Sequence, residues 1–243
     1  MTAPATGRSR WTSRSLTVLA AVGALVLLAI GATLGVALAP QRQAAPDAPN
    51  AVDIGFAQDM IVHHAQGVRM AHYADENSTD PEIKNIAYDI AYTQTAQIGQ
   101  MQGWLALWGQ SEINRGQVMG WMSTEAGGHG GMTMGSTAGT ASGALMPGMA
   151  TQAEEDKLKS LRGKESDIYF LQLMIRHHEG GAGMMQYATQ YAGNKVVQNF
   201  AGKMLYTQTD EIGVMTQMLQ QRGAQPLPNP LGSTAATAPA PTR

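Results

Sequence analysis

Residues 60–70 read "MIVHHAQGVRM", and residues 174–184 read "MIRHHEGGAGM". Adjacent histidines stand three and four residues after a methionine in both, and a second methionine stands ten residues after the first. The likeness extends well past these stretches. At an offset of 114 residues the chain overlays on itself without a gap. Asp53 falls on Asp167, Phe56 on Phe170, Met60 on Met174, His63-His64 on His177-His178, Gly67 on Gly181, Met70 on Met184, and Tyr73-Ala74 on Tyr187-Ala188. Further on, "YTQTAQIGQM" (92–101) overlays "YTQTDEIGVM" (206–215), and Gly109 overlays Gly223. Identity this dense at a fixed offset marks a duplication.

Each copy reads as a helical hairpin. The first helices are expected over 52–75 and 166–192. The second begins at Asp80-Pro81-Glu82, where Asp caps the free amides, Pro suits the first helical position and Glu faces the positive helix end. It closes at Gly109, and its counterpart, about 195–222, closes at Gly223. Thr151 and Glu154 form a capping-box pattern for a short helix over 152–162. Two hairpins, each with one apolar stripe, bury those stripes on each other, so the expected fold is an all-α, antiparallel four-helix bundle with a pseudo-twofold axis.

Residues on one helix face recur with 3–4 spacing. On the first helix the buried seam is Phe56, Met60, His63, Gly67, Met70 and Ala74, and on the third Phe170, Met174, His177, Gly181, Met184 and Ala188. His63 and His177 therefore point inward, and His64 and His178 lie about 100° round, at the flank. The second and fourth helices carry Gln94, Gln97 and Gln208, Glu211 in mid-seam. A buried unpaired amide or carboxylate costs several kcal/mol, so a polar layer shared by four helices implies that these groups meet each other or a bound ion. A purely structural network would have His63 donate to Gln94 or Gln97 and His177 to Glu211. A metal is favoured by the paired histidines, by the flanking Met60 and Met174 with Met70 and Met184 one face-repeat on, and by the Glu211 carboxylate.

The copies are joined by 110–150, far longer than an ordinary helix connection. Six of the 16 Met, with His129, lie between 119 and 149 among Gly, Ser, Thr and Ala. No amphipathic period assigns them to a core. "HGGMTM" brings His129, Met132 and Met134 within six residues, and thioethers are soft ligands suited to Cu(I) or Ag(I). The plain alternative is a low-complexity linker with incidental methionines.

The 243-residue chain has no Cys, which excludes disulfides, thiolate metal sites and a cysteine nucleophile. Arg8, Arg10 and Arg14 precede a 24-residue uncharged run at 16–39. That is long enough to span a bilayer, and the arginines place the N-terminus in the cytoplasm. Pro40 directly follows Ala37-Leu38-Ala39 and hinders cleavage there, so an uncleaved anchor is expected, with secretion after signal cleavage as the alternative. A Pro/Ala-rich linker follows at 40–50. The bundle occupies 51–223, with repeats at 51–109 and 165–223, and the tail at 224–243 is expected to be disordered. Beyond Pro40 stand 18 acidic and 13 basic residues, a formal −5. That balance argues against nucleic acid as a partner.

"DIGFAQDMIVHH", "DIYFLQLMIRHH" and "QTDEIGVM" resemble the motifs of a bacterial exported family known as domain of unknown function 305. The resemblance covers about 50–109 and 165–223. It implies a ferritin-like four-helix fold, an extracytoplasmic setting and, for some relatives, copper binding and tolerance. The paired histidines carry over to His63, His64, His177 and His178, and the acidic position to Glu211. The first copy departs from the pattern, with Gln97 where Glu is expected. No Glu-x-x-His stands on these seams, which argues against a dinuclear iron oxidase. Asp59 faces Leu173 in the alignment of the copies and is set aside as outside any symmetric site. The expectation is a non-enzymatic copper-sequestering or buffering protein, for which a copper-handling protein is a fitting partner. The competing readings are a metal-dependent oxidase and a structural or interaction module with a hydrogen-bonded polar core.

Overall fold

The structure, a computed structural model, describes residues 48–122 and 146–228. The described residues are all-helical: α1 Ala51–Asn77, α2 Pro81–Leu107, a 3-10 turn Gly120–Met122, α3 Gln152–Ser160, α4 Gly163–Tyr191 and α5 Lys195–Gln221. None of these helices is long and apolar enough to cross a membrane. The expected anchor at 16–39, the centre of the Met/His loop with His129, Met132 and Met134, and most of the tail lie outside the described residues.

Local chemistry sets the helix ends and ties the hairpins together. Asn50 caps α1 by accepting from the Val52 and Asp53 amides, and Asp53 accepts from the Asn50 amide at 2.8 Å. The Asp53 carboxylate also accepts from the backbone amides of Gly193 and Asn194, at 3.0 and 3.1 Å. The start of α1 is thereby tied to the turn between α4 and α5. Asp80 caps α2 and pairs with Arg222 at the end of α5. Gly109 and Gly223 take φ of +64° and +75°, the left-handed geometry that ends α2 and α5.

The four long helices form a bundle whose core is divided in two. One half joins the N-terminal part of α1 with the C-terminal part of α4: Phe56, Met60, Met101, Leu105, Met184, Met185, Val197 and Met204 are its large buried members. The other half joins the opposite ends: Met70, Ile83, Ile90, Phe170, Met174, Met215 and Leu219. α1 and α4 therefore run antiparallel. Met60 shares a half-core with Met184, and Met174 with Met70, as a twofold relation between the repeats requires.

The connection between the repeats breaks that symmetry, and its described ends are not free linker. Asp59, only 2% exposed, accepts from the Met119 amide (2.7 Å), the Trp121 indole (2.8 Å) and the Asn114 side chain (2.9 Å). Trp121 packs edge-on against Phe56 and Tyr187. Met146 and Met149 are buried in the first half-core, and Met119 and Met122 pack against it. The expectation that no core holds the loop methionines is thus corrected for these four. Helical periodicity does not register residues that reach a core from a non-helical strap.

The strap returns along α1 and α4. Gln66 donates to the Ala150 carbonyl (2.9 Å) and accepts from its amide (2.7 Å). At the equivalent position of the second repeat stands Gly180. A Cβ there would lie 2.1 Å from the Pro147 carbonyl oxygen, so only glycine admits the strap backbone. α3 follows, begun by the Thr151–Glu154 capping box and held by Arg176–Glu154 (2.7 Å) and Arg69–Glu155 (3.1 Å).

Two substitutions separate these contacts from ordinary helix glycines. Gly180→Ala should lower stability by about 1–3 kcal/mol through overpacking against the strap. Gly99→Ala, where a Cβ meets nothing within 4 Å, should raise it by about 0.5–1 kcal/mol. Chemical denaturation of both variants reads the contrast. Asp59→Ala should cost about 3 kcal/mol, because three donors lose their acceptor.

Candidate metal centre

Between the two half-cores lies a polar layer. His63, His64, His177 and His178 are all 0% exposed, and Gln94 and Gln208 are 2% and 3%. The repeat glycines make room for it: a Cβ on Gly67 would fall 2.2 Å from Gln94 Oε1, and one on Gly181 3.1 Å from His63 Cε1. The His63 and His177 rings stack at 3.8 Å between centroids, tilted by 33°. This contact lies at the centre of the bundle, where α1 meets α4.

Each histidine has one engaged nitrogen. His64 Nε2 lies 2.8 Å from Gln97 Oε1, and His178 Nε2 lies 2.7 Å from Glu211 Oε2. These are equivalent pairs, each between the two helices of its own hairpin. His177 Nε2 is 2.9 Å from the His63 carbonyl oxygen, and His63 Nε2 is 3.4 Å from that of Pro147. The amide and carboxylate partners thus belong to His64 and His178, whereas the structural network read from the seam gave them to His63 and His177. His64 and His178, at the flank of the seam, are as fully buried as the inner pair. A 100° rotation from the α1–α4 contact turns each toward the partner helix of its own hairpin, which buries it equally.

All four Nδ1 atoms are buried without a hydrogen-bond partner, as are both polar side-chain atoms of Gln94 and Gln208. Desolvation holds His63, His64 and His177 neutral. It lowers His63 from the ordinary 6.5 to about 4, although the Pro147 carbonyl acts in the opposite sense. It lowers His64 to about 3, with His63 adding to the effect. His177 is also held well below its ordinary value, first by burial and then by its neighbour His63.

Among the described residues no three His, Asp or Glu side chains form a group that could hold a metal ion. The donor set is instead imidazole nitrogen with thioether sulfur. Met60 and Met184 lie in the half-core on one side of the layer, and Met174 and Met70 in that on the other. Such donors fit a soft cation, and with Glu211 as the layer's one carboxylate they fit a hard, oxygen-seeking one poorly. Four unpartnered Nδ1 atoms in a fully buried layer are chemically consistent with a bound Cu(I). His129, Met132 and Met134 lie outside the described residues. The Pro147 carbonyl is a member of the layer that helical periodicity does not show. Its sequence signal is the replacement of Gln66 by Gly180, one of several differences between the two copies.

Metal-free protein should lose stability on acidification. Folded pKa values below the unfolded 6.5 mean that the unfolded chain binds more protons between about 4 and 6.5. The histidine contribution is complete above pH 6.5 and falls away as pH drops toward 4. Thermal melts of metal-free protein across this window should show a falling midpoint, and His63→Gln should flatten the dependence.

The sequence and fold find counterparts among known proteins. The family described as domain of unknown function (DUF305) matches residues 53–219. A solved putative secreted DUF305 protein from Streptomyces coelicolor is 38% identical, with TM-score 0.62, over 72% of this chain and 96% of that one. A DUF305 fragment from Deinococcus radiodurans is 28% identical, with TM-score 0.57, over 71% and 98%. CopM in its Cu(II)-bound form shares the fold at 24% identity and TM-score 0.51, over 70% and 96%. No curated protein matches the chain. The doubled histidine motif, the helical bundle it builds and the family match over most of the chain agree: this protein belongs to the DUF305 family.

Proposed function

We propose that this protein binds copper outside the cytoplasmic membrane, with sequestration or buffering as its role. The reading extends to a ferritin-like bundle tethered by residues 16–39. One observation carries it: four fully buried histidines each keep an Nδ1 without a hydrogen-bond partner in a layer flanked by buried methionine. A buried polar atom without a partner is costly, and so much uncompensated capacity in one layer is explained by a cation that uses it. His63 and His177, in ring contact, are the central ligands, with His64, His178 and the thioethers of Met60, Met174, Met70 and Met184 as the supporting donors. His129, Met132 and Met134 would capture the ion from a partner or hand it on. CopM, which shares the fold, has Cu(I)-bound and Cu(II)-bound forms, in keeping with this reading.

Binding fits the layer better than turnover. An oxidase on such a scaffold draws on several carboxylates, whereas this layer offers Glu211 alone, and that group is bonded to His178. A purely structural polar core accounts for the four engaged Nε2 atoms and leaves the four Nδ1 atoms unexplained.

A ligand that binds only the native state raises its stability, by about 4 kcal/mol at a thousandfold excess over Kd. Cu(I), delivered under reducing conditions to the full chain, should raise the melting midpoint by several degrees. It should also compete with a chromophoric Cu(I) chelator. The paired substitution His63→Gln and His177→Gln should remove the tight class of sites, while deletion of 123–145 should leave that class and slow its filling. Midpoints indifferent to Cu(I), Cu(II) and Ag(I) would reject copper binding in favour of the structural reading.

A further inference from the structure

We infer that the layer histidines are fixed in one tautomer, with the proton on Nε2, so that Nδ1 is the atom each presents to a soft monovalent cation. The groups that position them are the Pro147 and His63 carbonyls, Gln97 and Glu211. The inference rests on the copper reading for the identity of the cation, but the tautomer stands on hydrogen-bond chemistry alone.

A backbone carbonyl can only accept. His63 Nε2 faces the Pro147 carbonyl and His177 Nε2 faces the His63 carbonyl, so both Nε2 atoms must carry hydrogen. An ionised carboxylate also only accepts, which fixes the proton of His178 on the nitrogen facing Glu211. Gln97 presents its oxygen to His64 in the equivalent place of the first repeat. Three groups that can only accept thus select the same tautomer, and Gln97, with its oxygen toward His64 Nε2, matches it. In a neutral ring the consequence is a lone pair on Nδ1, and the four Nδ1 atoms are among those left buried without a partner. An imidazole whose other nitrogen donates to a carbonyl or carboxylate is oriented and made more basic toward a metal.

The two repeats differ at one of these acceptors. Among His63, His64, Gln94, Gln97, His177, His178, Gln208 and Glu211, only Glu211 carries a negative charge. One carboxylate offsets a monovalent cation and leaves a divalent one with uncompensated charge in a buried layer. Glu211 is therefore a positioning residue that also sets the charge of cation the layer prefers. His63 and His177 depend instead on backbone, and the strap that brings the Pro147 carbonyl to His63 is seated on Gly180. The connection between the repeats is in this way part of the histidine layer.

The test is a long-range proton–nitrogen NMR spectrum of the full chain, labelled with 15N-histidine, at pH 7.5 without metal and then with Ag(I), a diamagnetic probe. Four histidines should show a protonated Nε2 and a bare Nδ1, with exposed His72 as the averaged reference. Ag(I) should shift the Nδ1 resonances of His63 and His177. Glu211→Gln keeps an acceptor and should keep the His178 tautomer. Glu211→Leu should release it and weaken Ag(I) binding about tenfold. A bare Nε2 on His63 or His177, or Ag(I) shifts centred on Nε2, would overturn the inference. The expected tautomers with no Ag(I) shift at any histidine would leave the positioning intact and sink the copper reading with its Nδ1 ligands.

Discussion

Burial of a polar layer at mid-bundle is the constraint to which the rest of this structure answers. Four imidazoles and two amides lie between two apolar half-cores, at no more than 3% exposure. Such groups cost free energy unless they find partners. The fold supplies one partner to each histidine: a side chain across the hairpin for His64 and His178, a backbone carbonyl for His63 and His177. Glycines 67 and 181 let the helices close around the layer. What remains uncompensated, the four Nδ1 atoms and the side-chain amides of Gln94 and Gln208, is where a ligand has something to gain.

The two repeats are near copies, yet the second use of the plan is not identical to the first. Where α1 has Gln66, α4 has Gly180, and the strap crosses between them. Where α2 has Gln97, α5 has Glu211, and the layer acquires a single charge. Asp59, which has no acidic counterpart in α4, pins the outgoing end of the connection through three hydrogen bonds. Each of these three departures from symmetry coincides with something the bundle needs only once.

This pattern explains what the sequence could and could not disclose. The offset of 114 residues, the caps at Asp80 and Thr151 and the terminating glycines are local signals, and they place the helices. The seam pattern also places His63, His177 and the polar residues of the second helices in one layer, because period and burial are linked. The exchange of partners between the inner and outer histidines was not legible, since a 100° rotation shows direction and not the depth of the neighbouring helix. Nor was the strap: Pro147 acts through its carbonyl, which every residue possesses. Asp59 breaks the repeat, and the break is why it matters: the strap it holds occurs once. Met146 and Met149 carry no periodicity, yet they are buried.

Membership of the DUF305 family and the fold shared with CopM set this layer in a wider group of helical proteins, but the account of copper here stands on the layer itself. Its central claim is that the ion sits between the two half-cores. Anomalous diffraction from crystals of the Cu(I)-loaded protein at the copper edge tests it most directly. The account requires an anomalous peak within bonding distance of Nδ1 of His63 or His177. A peak confined to other parts of the chain, with the four histidines unchanged and their Nδ1 atoms still unpartnered, would contradict it.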